Sequence, residues 1–220
     1  MTRLLLVVLL LAGCGGPPDP RALSDTEAER LALVRFTNYT AKNARFTASV
    51  PSPGGTLLLT GRGGIGAPHG EPSRGTDGRV DGASTGLVQW NPARLAYHGA
   101  DAPEPIDPAP TEGWQVRAMR RTGSELDGAL RLLVDLAADR PENPQLLRQS
   151  TARWLRSDTV DGVAVDVLEG PAAGESRLRY WVDADGRLRR VEARLGDRQD
   201  YAVFDLRDGG AAITPIPPLA

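Results

Sequence analysis

RLRYWVDADGRLRRVEARL, residues 177–195, is the stretch on which the reading of this chain turns. Residues 178–184 and 187–195 have the composition and alternation of two strands, joined at Asp185-Gly186. Asp-Gly favours a tight hairpin because both residues tolerate positive φ. Val191, Ala193 and Leu195 share one face of the second strand, and Glu192 and Arg194 take the other. Such alternation marks a sheet with one packed face and one wet face.

Working outward, the same pattern repeats on both sides. Residues 152–160 and 163–168 form a second hairpin at Asp161-Gly162, with Val163, Val165 and Val167 on one face and Ala164 and Asp166 opposite. Residues 201–206 add another strand. Nearer the amino terminus, residues 45–50 and 56–60 read as strands around a Pro/Gly turn, with Leu57 and Leu59 alternating against Thr56, Leu58 and Thr60. Residues 87–90 and 94–98 form a hairpin around Asn91-Pro92, and 114–120 a short strand. Residues 66–78 are turn-rich, and 102–113 hold four prolines and read as a loop.

Two helices interrupt the strands. Ser24-Asp25-Thr26-Glu27 has capping-box spacing and opens a helix ending near Thr40. Ser124 opens a second, in which Leu126, Ala129, Leu130, Leu133, Val134 and Ala137 form one apolar stripe that ends before Pro141. Many strands and few helices define an α+β class: a long antiparallel sheet with helices on one face. The periodicity fits a closed core and an internal cavity equally.

The segment 177–195 resembles the strand-turn-strand pattern W-V-D-x-D-G-x-L-x-R-V of the LppX/LprG-type lipoproteins of actinomycetes, which share the LolA-like fold. The Asp161-Gly162-Val163 hairpin and Gly170-Pro171 before it fit the same pattern, and the helices fall in the matching order. The wording is recognisable over about residues 150–206, and the layout over most of the chain. The resemblance implies a curved antiparallel half-barrel with helices packed on its concave face. It also implies binding or carriage of acylated lipids or glycolipids between sheet and helices. The long loops around residues 61–78 and 102–110 depart from the pattern. Pocket candidates under this reading are Leu57, Leu59, Leu130, Leu133, Val134, Val163, Val165, Val167, Val191, Ala193 and Leu195, each offering apolar contact only.

The amino terminus supplies an address. Arg3 precedes an apolar run over residues 4–11, far short of the roughly 20 residues that span a bilayer. Leu11-Ala12-Gly13-Cys14 matches the bacterial lipobox, in which the cysteine thiol receives a diacylglycerol and a peptidase cuts just before it. Residues 1–13 are therefore expected to be a lipoprotein signal peptide, 14–23 a flexible Pro/Gly-rich tether, and 24–220 a single LolA-like domain. Cys14 is the only cysteine, so the chain has no internal disulfide. Two or more acyl chains hold a protein on a membrane where one does so marginally. The expected location is the outer face of the cytoplasmic membrane.

Composition narrows the function. A formal net charge of -2 and a pI near 5.8 argue against nucleic acid as a partner. Lys42 is the only lysine among 26 basic residues, a bias of GC-rich genomes that fits an actinobacterial source. His69 and His98 sit in a loop and at a strand end, without a ligand or base cue. No nucleophile elbow is present, and Gly61-Arg62-Gly63-Gly64-Ile65-Gly66 lacks the helix and Lys-Ser/Thr of a phosphate loop. Asp183 and Asp185 are followed by Leu188, Arg189 and Arg190 where a calcium loop needs ligands. The sequence therefore implies no enzyme, cofactor or metal. It leaves a membrane-anchored carrier of acylated lipid or glycolipid, or an envelope protein-interaction or sensing module with a filled core. A Cys14→Ala chain is expected to leave the membrane pellet for the soluble fraction; full retention in the pellet would refute the anchor.

Overall fold

The computed structural model describes residues 19–53, 55–63, 78–80, 84–99, 110–172, 178–196, 198–209, 216 and 219. The lipobox, with Cys14, and most of the tether lie outside them. In chain order the elements are β1 (Arg21–Ala22), α1 (Asp25–Ala41), β2 (Ala44–Ser52), β3 (Gly55–Gly63), β4 (Gly78–Val80), β5 (Ser84–Trp90), β6 (Arg94–Gly99) and β7 (Gln115–Ala118). They continue as α2 (Glu125–Asp135), α3 (Pro144–Gln149), β8 (Arg153–Val160), β9 (Val163–Glu169), β10 (Arg179–Asp183), β11 (Leu188–Arg194) and β12 (Tyr201–Asp208). These strands form one open antiparallel sheet in the order β1-β8-β9-β10-β11-β12-β2-β3-β4-β5-β6-β7. Two meanders thus meet at β12 and β2, where Phe204 lies opposite Ala48. The class is the expected one, a curved α+β sheet with its helices on one side.

The two Asp-Gly hairpins close differently. Asp161 and Gly162 both have positive φ, 51° and 80°, as a two-residue turn of this kind requires. At the second hairpin Gly186 has φ 77° but Asp185 does not. There the Asp183 carboxylate gathers the turn, accepting from the backbone N–H groups of Asp185 and Arg187 at 3.0 and 2.9 Å. Arg189 donates Nε to the second oxygen at 2.9 Å, so this buried acid is fully employed. The longer turn accompanies a register shift between Trp181 and Val182.

Alternation sends Phe46, Ala48 and Val50 of β2, Leu57 and Leu59 of β3, Val88 and Trp90 of β5, Leu168 of β9, Val191 of β11, and Ala202, Phe204 and Leu206 of β12 into one core. The helices complete it with Ala28, Leu31, Ala32 and Val34 of α1 and Ala129, Leu130 and Leu133 of α2. The opposite face carries two smaller clusters. Val160, Val165 and Val167 gather around Trp181, whose indole N–H donates to Asp158 at 2.9 Å while the Arg156 guanidinium lies 5.6 Å from its ring. At the far end, Ile216 and Leu219 cover Ala96, and the Ile216 N–H donates to buried Gln89 at 3.0 Å.

Each long helix is fixed at its start by a carboxylate at the third helical position. Ser24 caps α1 in a complete capping box with Glu27. Arg21 of β1 then forks onto Glu27 at 2.8 and 2.7 Å. At α2, Asp127 accepts from Ser124 Oγ at 2.6 Å, from the Arg120 N–H at 2.7 Å, and from both terminal nitrogens of Arg117 of β7 at 2.7 and 2.6 Å. Hydrogen bonds from Arg21, against the opposing effect of burial, hold Glu27 down to about 2. Burial would push Asp127 up, but the bonds from Arg117, Ser124 and Arg120 outweigh it and hold this acid to about 2 as well.

Carboxylates depressed in the folded state stabilise it above their ordinary values of 4.5 and 3.8, and that contribution is lost as the pH falls toward 2. Stability measured by chemical denaturation is therefore expected to drop between about pH 4.5 and pH 2. Arg117→Ala strands Asp127, whose side chain is 1% exposed, and is expected to cost about 3 kcal/mol at pH 7. The loss should shrink as the pH falls toward 2, where Asp127 in the intact protein begins to take up its proton.

Candidate functional site

Most of the space between sheet and helices is filled. Leu59, Leu130, Leu133, Leu136 and Phe204 are each no more than 2% exposed, and Phe46 meets Trp90 edge to face at 6.1 Å. Room remains on one flank of α2, where the helix passes the ends of β9, β10 and β11. A pocket of about 350 Å³ opens there. Gly128, Leu132, Leu178, Tyr180, Ala193 and Leu195 form its apolar wall with Gly170 and Pro171, and Arg131, Asp135 and Arg194 are its charged residues.

Two glycines make this space. Gly128 lies within α2, on the helix flank that faces Leu195. A Cβ there would meet Leu195 at 3.8 Å, an ordinary contact, so close packing does not demand glycine. Gly170 is tighter, since a Cβ would come within 3.1 Å of the Tyr180 ring. Tyr180 sits deep enough that burial pushes its phenol up, and it stays neutral across the physiological range.

The pocket candidates read from sequence divide into three groups. Ala193 and Leu195 line the pocket. Leu57, Leu59, Leu130, Leu133 and Val191 are buried in the main core, and Val134 is half-buried against it. Val165 and Val167 stand on the opposite face in the Trp181 cluster, and Val163 is exposed there. The register explains the last group: Val167 pairs with Trp181 while Leu168 pairs with Tyr180, so it is Leu168 that turns toward the helices. Gly128, Leu132, Leu178 and Tyr180 were not among the candidates. A glycine inside the α2 helix beside its apolar stripe, and the alternation of Tyr180 with Trp181, were the signals that could have found them.

A second cleft lies between α1 and α3, lined by Asp25, Glu29, Gln145, Arg148 and Gln149. Its wall is mostly polar, with Arg148 paired to Asp25 and with Ala28 and Pro144 as its apolar members. His98 packs against Trp114, with ring centres 5.4 Å apart. Among the described residues no three or more His, Cys, Asp or Glu side chains gather as a metal site, and no helix is long and apolar enough to cross a membrane.

The fold and the pocket together define the class: an open antiparallel sheet holding helices on one face, with an apolar pocket beside the second helix. The sheet with its helices on one face is the fold implied by the LppX/LprG-type, LolA-like resemblance. No protein-family model and no curated protein matches the chain. Its structure is similar to that of LprF from Mycobacterium bovis, at 14% identity and a TM-score of 0.49, over 94% of this chain and 100% of that one. The Pseudomonas aeruginosa MucA/MucB complex gives 15% identity and a TM-score of 0.41, over 89% and 60%. A LolA superfamily protein from Nitrosomonas europaea gives 12% and 0.27, over 90% and 96%.

Because glycine in a helix interior costs roughly 1 kcal/mol relative to alanine, and a Cβ at Gly128 meets only ordinary contact, Gly128→Ala is expected to be stabilising. A gain of about 1 kcal/mol in denaturant unfolding checks it; a loss would mean the flank is already full.

Proposed function

We propose that this chain is a non-catalytic lipoprotein of the cell envelope, anchored through Cys14 at residues 14–23 and binding an acylated lipid or glycolipid through a single domain at residues 24–220. The observation that carries the reading is the α2 pocket, an apolar recess whose wall includes an interior helix glycine that packing does not require. Sites of this kind are concave, mostly apolar and few per protein. Hiding each methylene from water is worth about 0.8 kcal/mol, so an acyl chain gains substantially on entry. The pocket residues offer contact and no chemistry: the phenol of half-buried Tyr180 is neutral, and the charged side chains beside it are Arg131 and Asp135, since Arg194 lays its guanidinium over Tyr201.

A packed main core supports a second reading, a protein-docking or envelope-sensing module of the same fold. One experiment separates the two. Full-length protein is purified from an actinomycete and weighed by native mass spectrometry beside Gly128→Leu, which grows a side chain from the pocket wall. The lipid reading expects a non-covalent mass that organic solvent releases as an acylated lipid, reduced at least tenfold in Gly128→Leu. A bare protein mass in both samples, with no uptake of added lipid, would reject it in favour of docking.

A further inference from the structure

We infer that the outer face of the sheet, away from the helices, turns toward the bilayer and engages its anionic headgroups through arginine. This rests on the Cys14 anchor of the proposed function and adds the surface that meets the membrane. The register sorts the charges by face. On the outer face of β8–β12 and β2, four arginines are matched to carboxylates: Arg156 to Asp158, Arg179 to Glu192, Arg190 to Asp205, and Arg207 to Asp161 of the β8–β9 turn. Asp183 and Arg189 cancel within the β10–β11 turn. The same face adds Arg45, Arg153 and Arg194 against Glu169 alone, which leaves it net positive. The helix side has no such excess. The six carboxylates of α1, α2 and α3 are answered by the four arginines of those helices and by Arg21 and Arg117.

The place where the chain enters the fold brings this face within range of the membrane. β1 pairs with β8, Arg21 opposite Trp154 and Ala22 opposite exposed Arg153. Cys14 lies five residues before Asp19, the first described residue, and that length of chain reaches at most about 18 Å. Charges act over roughly 10 Å at 0.1 M salt, so a domain held this closely stays near the field of an anionic surface. A net positive face opposite a balanced one then decides which side turns down. Arginine suits the contact, because its planar fork meets two phosphate oxygens at once.

The test uses the full-length lipoprotein, whose only native cysteine is taken by the anchor, so one added cysteine carries a fluorophore. Thr47→Cys labels the outer face and Glu29→Cys the exposed side of α1. Each protein is added to preformed vesicles of mixed phosphatidylglycerol and phosphatidylcholine that contain a lipid with a quencher on its headgroup. Quenching at position 47 is expected to exceed that at position 29 about threefold, and the two should converge near 1 M salt, where screening shortens to about 3 Å. Arg45→Glu with Arg153→Glu should abolish the difference in the same vesicles. Equal quenching, stronger quenching at position 29, or a difference that survives salt, the double substitution or pure phosphatidylcholine would overturn the inference and leave the anchor standing. Protein that fails to float with vesicles of either composition would overturn the anchor and the inference together.

Discussion

The buried fork between Arg117 and Asp127 is the constraint from which the arrangement of this protein follows. An open sheet can expose either face, and its helices need a reason to stay on one. Asp127 is taken out of water at the start of α2, so its charge must be met there. Arg117 reaches it from β7, the strand at one edge of the sheet. Arg21 performs the same service for Glu27 from β1, the strand at the other edge. Each edge strand is short, and each ties a helix start to the sheet it borders. The negative charge at these positions also suits the positive end of the helix dipole. Helix placement and edge protection are therefore one problem with one solution, used twice.

With the helices fixed, the two faces diverge. Among the described residues the inner face is filled by α2 leucines and strand aromatics, and a pocket opens where α2 presents Gly128 in place of a side chain. The outer face keeps its apolar residues under charged ones. Trp181 lies beneath the Arg156–Asp158 pair, and Arg179 and Arg194 each place a guanidinium within 5 Å of the Tyr201 ring centre, at 4.5 and 4.8 Å. Long arginine stems cover apolar surface while their heads stay wet. That is how a chain with a single lysine finishes this face of its sheet.

Much of this was legible in the residues, and the rest had physical reasons to stay hidden. Alternation and turn chemistry located both helices and the long strands to within a few residues, because each pattern reports local burial directly. The two-residue β1, the three-residue β4 and the one-and-a-half-turn α3 are too short to show a period. Asp185-Gly186 read as a two-residue turn because the dipeptide alone does not show that the Asp183 carboxylate, two residues before it, takes up the N–H groups of Asp185 and Arg187. The pocket was harder still. Alternation tells which residues share a face but not which face holds the helices, so Val165 and Val167 read as well as Leu168 for the inner side. The recess itself comes from side chains that are missing, at Gly128 and Gly170, and a search for apolar residues passes over them.

The junction of β12 with β2 has a consequence for how the protein comes to exist. β2 is finished early in synthesis, yet its neighbour on one side, β12, begins about 150 residues later. Pairings of such wide sequence separation are slow, because the intervening chain must be closed before the contact rewards it. Until Tyr201–Asp208 arrives, Phe46, Ala48 and Val50 sit on a strand with one bare edge, a template for pairing with another chain. The nascent protein is therefore vulnerable for nearly the whole of its emergence.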